Sequence, residues 1–347
     1  MTTTRGAKKT PGESALATKA PKTAKATKAT KATKATKATK ATKATKATKA
    51  AKTAAVTESS GNAKTTGTSK PNAKSVAAGI RVGIGGWNFA PWRGEFYPAD
   101  VPQSRELEYA SQHVTAIEIN STYYGTQKAT SFARWHDATP DDFVFSLKAS
   151  RYATNRRVLA EGADSVRRFL ESGITALGSK LGPILWQFAP TKVFDADDFE
   201  RFLELLPARQ DGIALRHVME VRNDSFMDPA YLKLARKYKV ATVYTDNPEF
   251  PSMADLTADF VYIRLMCADA KLRTGYSPRD LDAWADHLRT WAAGKQPEKL
   301  PRVTSASAAA GNGKARQRDV YLYFINGAKE KAPAAAMALL ERLQGKT

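Results

Sequence analysis

Seven short apolar runs in this chain each close on a side chain that can carry charge or make strong hydrogen bonds: Glu118 and Asn120, Lys148, Gln187, Glu220 and Arg222, Asp246, Arg264, and Asn326. Glu118 and Asn120 are two residues apart, as are Glu220 and Arg222, so on a strand each pair shares one face. Charges placed alone inside such runs are costly, so these groups need each other or a ligand. Two arginines and a lysine suit a carboxylate or phosphate, because a guanidinium grips such a group through two parallel N–H bonds. Lys148, flanked by Leu147 and Ala149, is placed to lose its proton and act as base or Schiff-base nucleophile. Glu118 or Glu220 would be its acid/base partner, with Asp246 a further carboxylate candidate. The competing reading is structural: an ion pair between Lys148 and Glu118 within a network that closes the core without chemistry.

Other chemistries find less support. The four histidines, His113, His136, His217 and His287, stand in no zinc-ligand spacing. Glu118, Glu220 and Asp246 permit magnesium through oxygen, but Lys148, Arg222 and Arg264 would neutralise the same carboxylates. No Gly-x-Ser-x-Gly elbow occurs, and Cys267 has no positioned histidine, so it reads as a small buried hydrophobe. The cofactor is therefore left open.

These side chains need a frame that gathers them. Strand patterns run over Arg81–Gly86, Thr115–Asn120, Phe143–Lys148, Pro183–Phe188, His217–Arg222, Val240–Thr245, Phe260–Leu265 and Val320–Ile325. Helical patterns fall between them at Ser104–His113, Ala163–Leu177, Ala196–Leu206, Pro229–Tyr238, Pro278–Ala292 and Ala332–Leu343. Alternation repeated eight times predicts an α/β fold, a (β/α)8 TIM-type barrel, whose strand ends converge at one mouth. A doubly wound open sheet is the rival, but Gly83-Ile-Gly-Gly-Trp87 opens no helix and makes a poor phosphate fingerprint. The loop 86–98 carries five aromatics beside Arg93 and Glu95 and would overhang the mouth, joined by Tyr123 and Tyr124. Such rings either stack on a ligand, Trp87 first among them, or pack on one another as a satellite core.

The segments Gly-Trp-Asn-Phe-x-x-Trp-Arg-Gly-x-Phe-Tyr-Pro at 86–98, Glu-Ile-Asn-Ser-Thr-Tyr-Tyr at 118–124, Phe-x-Phe-Ser-x-Lys at 143–148 and Glu-Val-Arg at 220–222 go together. With Leu181-Gly-Pro leading to Gln187, Tyr262-x-Arg264 and Tyr323-Phe324, they resemble the domain-of-unknown-function-72 (YecE-like) family over about residues 80–345. The resemblance implies a TIM-type barrel and supplies no activity. The chain departs from the family at Asn155 and Asn223, where many members carry His, and at Phe324-Ile-Asn-Gly, where they read Phe-Asn-Asn. An imidazole acid or base is thereby excluded at 155 and 223.

Of the 54 Lys and Arg residues, 18 lie in residues 1–79 against just Glu13 and Glu58, which places 16 of the 20 net positive charges there. From Lys25 to Lys49 the chain repeats Lys-Ala-Thr, nine lysines three residues apart, with nothing to bury. Residues 1–79 therefore read as a disordered, histone-like basic tail that attracts nucleic acid or another polyanion non-specifically, and 80–347 as the barrel, with a mobile loop at about 303–318. No apolar run approaches the length of a membrane span, no secretory h-region is visible, and the lone Cys267 fits a reducing compartment; the expectation is a cytoplasmic protein, nucleoid-associated if the tail meets DNA.

Three functions follow. In the first, an anionic small molecule, nucleotide-like or otherwise, reacts at the mouth by hydrolase or lyase chemistry. There Glu118, Lys148, Glu220 and Asp246 are catalytic, and Trp87, Asn120, Tyr123, Gln187, Arg222, Arg264 and Asn326 bind. In the second, the mouth holds a nucleic-acid end without reacting while the tail supplies affinity. In the third, an inert barrel is delivered to a polyanion by its tail.

Overall fold

The computed structural model describes residues 79–304 and 316–345. The basic tail, except Gly79, and most of the loop expected at 303–318 lie outside the described residues. Eight parallel strands close into a barrel in the order β1 (Ile80–Gly85), β2 (Ala116–Ile119), β3 (Val144–Lys148), β4 (Leu181–Gln187), β7 (His217–Glu220), β8 (Ala241–Thr245), β9 (Phe260–Leu265) and β10 (Asp319–Phe324), which returns to β1. A two-stranded excursion, β5 (Arg209–Gln210) with β6 (Ile213–Ala214), interrupts the sequence between β4 and β7. Each expected strand is present within two residues of its sequence boundaries.

Alternation along the strands sorts side chains into two shells. Ala116, Leu185, Val218, Val243, Tyr262 and Tyr323 fill the barrel axis. Their neighbours Ile117, Phe145, Trp186, Ile263 and Leu322 face outward and pack under the helices, against residues such as Phe202 and Leu339. Burying each large apolar side chain of this outer shell is worth about 1.5–3 kcal/mol, so the helices are held by packing more than by propensity.

Helices at Pro278–Ala292 and Ala332–Leu343 match the sequence boundaries. The first begins where Ser277 Oγ accepts the Asp280 N–H and proline occupies the first turn. The helix expected over Ala163–Leu177 stops at Leu170, because Gly173 takes φ 95° and the chain turns into a 3-10 segment at Ile174–Lys180. A side chain at Gly173 would collide with Ala129 at 2.5 Å, so glycine is required by contact as well as by φ. Helix Ala129–Asp137 was not visible in the pattern. In the loop after β1, Trp92, Phe96 and Tyr97 are buried on one another, and Tyr97 Oη donates to the Trp87 carbonyl at 2.7 Å. These rings join the main hydrophobic core under the helices rather than the satellite cluster expected of them.

Candidate active site

The inward residues at the carboxyl ends of β2, β7 and β9 meet on the barrel axis. Arg264 is 2% exposed, and its Nε and Nη2 donate to the two oxygens of Glu118, each at 3.0 Å. Its remaining nitrogen, Nη1, donates to Glu220 Oε2. Tyr262 Oη adds a donor to Glu118 Oε2 at 2.8 Å. Arg222 closes the network through Nε and Nη2 on Glu220 Oε1 at 2.9 and 2.7 Å, while Nη2 also reaches Gln187 Oε1 at 3.1 Å. Every oxygen of both buried carboxylates thus has a donor. Burial opposes the charges, but the carboxylates outweigh it to hold Arg264 ionised more firmly than a free guanidinium. At Glu220, burial is likewise overcome by Arg264, then Arg222 and Lys148, and the carboxyl is held below its ordinary range.

Below this layer Tyr323 and Ser146 share a hydrogen bond of 2.7 Å, and the Tyr262 and Tyr323 rings lie 5.2 Å apart. These tyrosines fit because β1 contributes glycine to the axis: a methyl at Gly83 would stand 3.0 Å from the Tyr323 ring and 2.2 Å from the Ala116 carbonyl.

Lys148 sits differently from its neighbours. It is 8% exposed, yet its ammonium makes no ion pair or hydrogen bond with any described residue, and it lies 4.1 Å from the centre of the Tyr123 ring. The Lys148–Glu118 ion pair of the structural reading does not form; the donors on that carboxylate are Arg264 and Tyr262. Burial first, then the nearby Arg264, push the Lys148 pKa down to about 8, with Glu118 and Glu220 offsetting part of the effect. Tyr123 is brought there by a helical turn, Ser121–Tyr124. Thr122 Oγ1 pins the turn by donating to the carbonyls of Ile119 at 3.0 Å and Lys148 at 2.7 Å. The central cluster therefore holds three cations, Lys148, Arg222 and Arg264, against two carboxylates, and Lys148, without a partner among the described residues, lies against the Tyr123 ring.

The other sequence candidates are distributed around this centre. Asn120 is half-buried at the end of β2, near Gly85, and Gln187 is buried under Arg222. Asp246 stands apart: its oxygens accept from the Met266 N–H at 2.6 Å and Tyr276 Oη at 2.7 Å, tying the end of β8 to the segment after β9. Burial raises its pKa above the ordinary carboxylate value. Asn326 is exposed beyond β10. Trp87 is placed elsewhere than expected. Its ring meets Trp135 at 5.2 Å and Phe145 at 6.4 Å, and Phe145 points outward on β3, opposite in alternation to Ser146 and Lys148. Trp87 therefore belongs to the outer shell. Cys267, expected buried, is exposed. Tyr262, Ser146 and Tyr323 entered the sequence reading only within the family motifs and not as site residues, and Phe250 not at all; the last lies 4.3 Å from the Arg222 guanidinium. Tyr262, two residues before Arg264, carried the same-face signal used for Glu118 and Asn120.

Among the described residues no three His, Cys, Asp or Glu side chains converge to hold a metal ion. The three carboxylates proposed as oxygen ligands split between the arginine network and Asp246's separate tethers. None of the described helices is long and apolar enough to cross a membrane.

A family model described as "Protein of unknown function DUF72" matches residues 81–347, and the chain belongs to that family. The UPF0759 protein YunF of Bacillus subtilis is 25% identical over 157 residues, 44% of this chain and 54% of that protein, so the match spans about half the relative's length. A DUF72 family crystal structure from Thermotoga maritima aligns with TM-score 0.56 at 20% identity, over 76% of this chain and 98% of that one. Another, from Enterococcus faecalis, gives 0.55 at 17%, over 77% and 96%. The family model establishes the family, and the two solved structures match the barrel fold.

Proposed function

We propose that the mouth of the barrel binds a small anionic ligand, phosphate- or carboxylate-bearing, and that Lys148 is the group that acts on it. The observation that carries this reading is the lone ammonium of Lys148, buried beside a network in which every other charge is paired. A pKa near 8 leaves about one tenth of the amine neutral at pH 7, enough to serve as base or nucleophile. As nucleophile, the amine forms a C–N bond to a ligand carbonyl, and the carbonyl oxygen departs as water to leave an imine. As base, it takes a proton from the ligand. Arg222, more exposed than Arg264 and with Phe250 against its guanidinium, is the cation that orients the anion. Glu118, Glu220 and Arg264 act as positioning residues that keep the floor rigid, and the one positive charge in excess is that of Lys148.

The test is a thermal-shift screen of the full chain against phosphorylated and carboxylated metabolites and nucleotides, with and without magnesium. Ligands that raise the wild-type melting temperature are expected to leave Lys148→Met unmoved. Cyanoborohydride with a carbonyl-bearing hit should add the mass of the reduced adduct at Lys148 if the amine is the nucleophile, and nothing if it is the base. An equal thermal response in wild type and Lys148→Met removes the proposal.

A further inference from the structure

Beside the mouth, the segments after β2, β3 and β4 expose aromatic and aliphatic side chains among arginines. Tyr124 and Tyr152 are 66% and 58% exposed. The Arg151 guanidinium lies 5.8 and 5.3 Å from the centres of those two rings, so one cation serves both. Beyond them two clefts, of about 900 and 430 Å³, share Arg156 as a wall. Arg156 is fixed by hydrogen bonds to the Tyr152 carbonyl at 2.6 Å and Ser165 Oγ at 3.1 Å. The larger cleft sets Arg156, Arg157, Lys192 and Arg201 against Asp195 and Asp198, and the smaller adds Arg168. Five cations thus line these clefts against two acids, and both acids are engaged: Asp195 caps a helix and Asp198 holds Lys192. The surplus is local, since the 36 cations and 32 acids of residues 80–347 nearly balance.

We propose that this flank is an interface for single-stranded nucleic acid, with phosphates in the two arginine clefts and bases on Tyr124 and Tyr152. This interface is independent of the chemistry at Lys148. Cations alone would recognise any polyanion, duplex DNA included. Accessible aromatic faces select for bases that are not already stacked in a duplex, and they do so without reading sequence. Two clefts separated by the half-buried Arg156 and edged by the exposed Arg157, Arg168 and Arg201 fit a thin strand better than a flat lipid surface.

The experiment compares the full chain with Tyr124→Ala/Tyr152→Ala in binding a short labelled oligothymidine and a duplex of equal length. The tail contributes to both affinities and is identical in both proteins, so differences report on the body. The double alanine variant should bind the single strand at least tenfold more weakly, bind the duplex unchanged within about twofold, and melt at the wild-type temperature. Tyr124→Phe/Tyr152→Phe should restore the affinity. Replacing Arg157, Arg168 and Arg201 with Gln should reduce the salt slope of single-strand binding by about 2, from roughly 0.7 per phosphate contact. Unchanged single-strand binding in the alanine variant overturns the proposal, and so does an equal loss for strand and duplex. Loss of binding to phosphatidylglycerol vesicles in the arginine variant, with single-strand affinity intact, would assign the flank to lipid instead and also overturn it.

Discussion

Replacing Lys148 with methionine is expected to stabilise the protein. The ammonium is buried without a partner among the described residues, and its pKa falls from the ordinary 10.5 to about 8. At about 1.4 kcal/mol for each pH unit, that fall corresponds to about 3 kcal/mol by which the charged form opposes folding. The sign follows from proton counting. Between pH 8 and 10.5 the unfolded chain holds a proton at this site that the folded chain has released, so stability rises with pH across that window. Below pH 8 both states are charged and the penalty is complete. Methionine keeps most of the volume and removes the charge. Urea denaturation at pH 7 should therefore show the variant more stable by about 2–3 kcal/mol, or a melting temperature higher by roughly 4–8 °C. The difference should shrink toward zero as the pH passes 10.5, which separates it from the titration of other groups common to both proteins. A variant less stable than wild type at pH 7 would refute the reasoning, because it would mean that Lys148 contributes a stabilising ion pair.

Glu118→Gln should cost about 3 kcal/mol or more in a denaturant titration, since it removes the carboxylate from a buried pair and leaves Arg264 with Glu220 alone; a neutral effect would contradict the network. Gly83→Ala should destabilise by a comparable amount, about 3 kcal/mol, through contact with the Ala116 carbonyl and Tyr323, whereas Gly125→Ala, with no atom within 4 Å of the new methyl, should melt as wild type. Asp198 accepts from the N–H groups of Leu159 and Ala160 and from Lys192; burial opposes its charge, but these donors hold its pKa below the ordinary value. Its contribution should be present at neutral pH and lost as pH falls through that lowered value, and in Asp198→Asn this part of the acid-unfolding curve should flatten.

Strands were legible because each inward residue is followed by an outward one, and eight such runs separated by helical patterns leave few topologies. Where a boundary slipped, a local contact decided it, as at Gly173, whose φ breaks the helical run expected to continue to Leu177. The gathering of Glu118, Lys148, Glu220, Arg222 and Arg264 was legible from their positions at strand ends. Who pairs with whom was not. Arg264 and Glu118 are 146 residues apart, and their bond depends on strand register and on how far each side chain leans across the axis. Trp87 was misjudged because its loop turns outward over Phe145, a direction fixed by packing of the aromatic segment after β1. Tyr123 was placed near the mouth correctly, but its seat over Lys148 follows from the Thr122 hydroxyl, which no periodicity displays.

The guanidinium of Arg264 joins carboxylates borne by β2 and β7, strands that are not neighbours around the cylinder. It acts as a crossbeam. Surface segments above it can be exchanged, lengthened or trimmed without altering the spacing of the anchored ends below, which makes this framework suited to grafting new binding loops over a fixed electrostatic base.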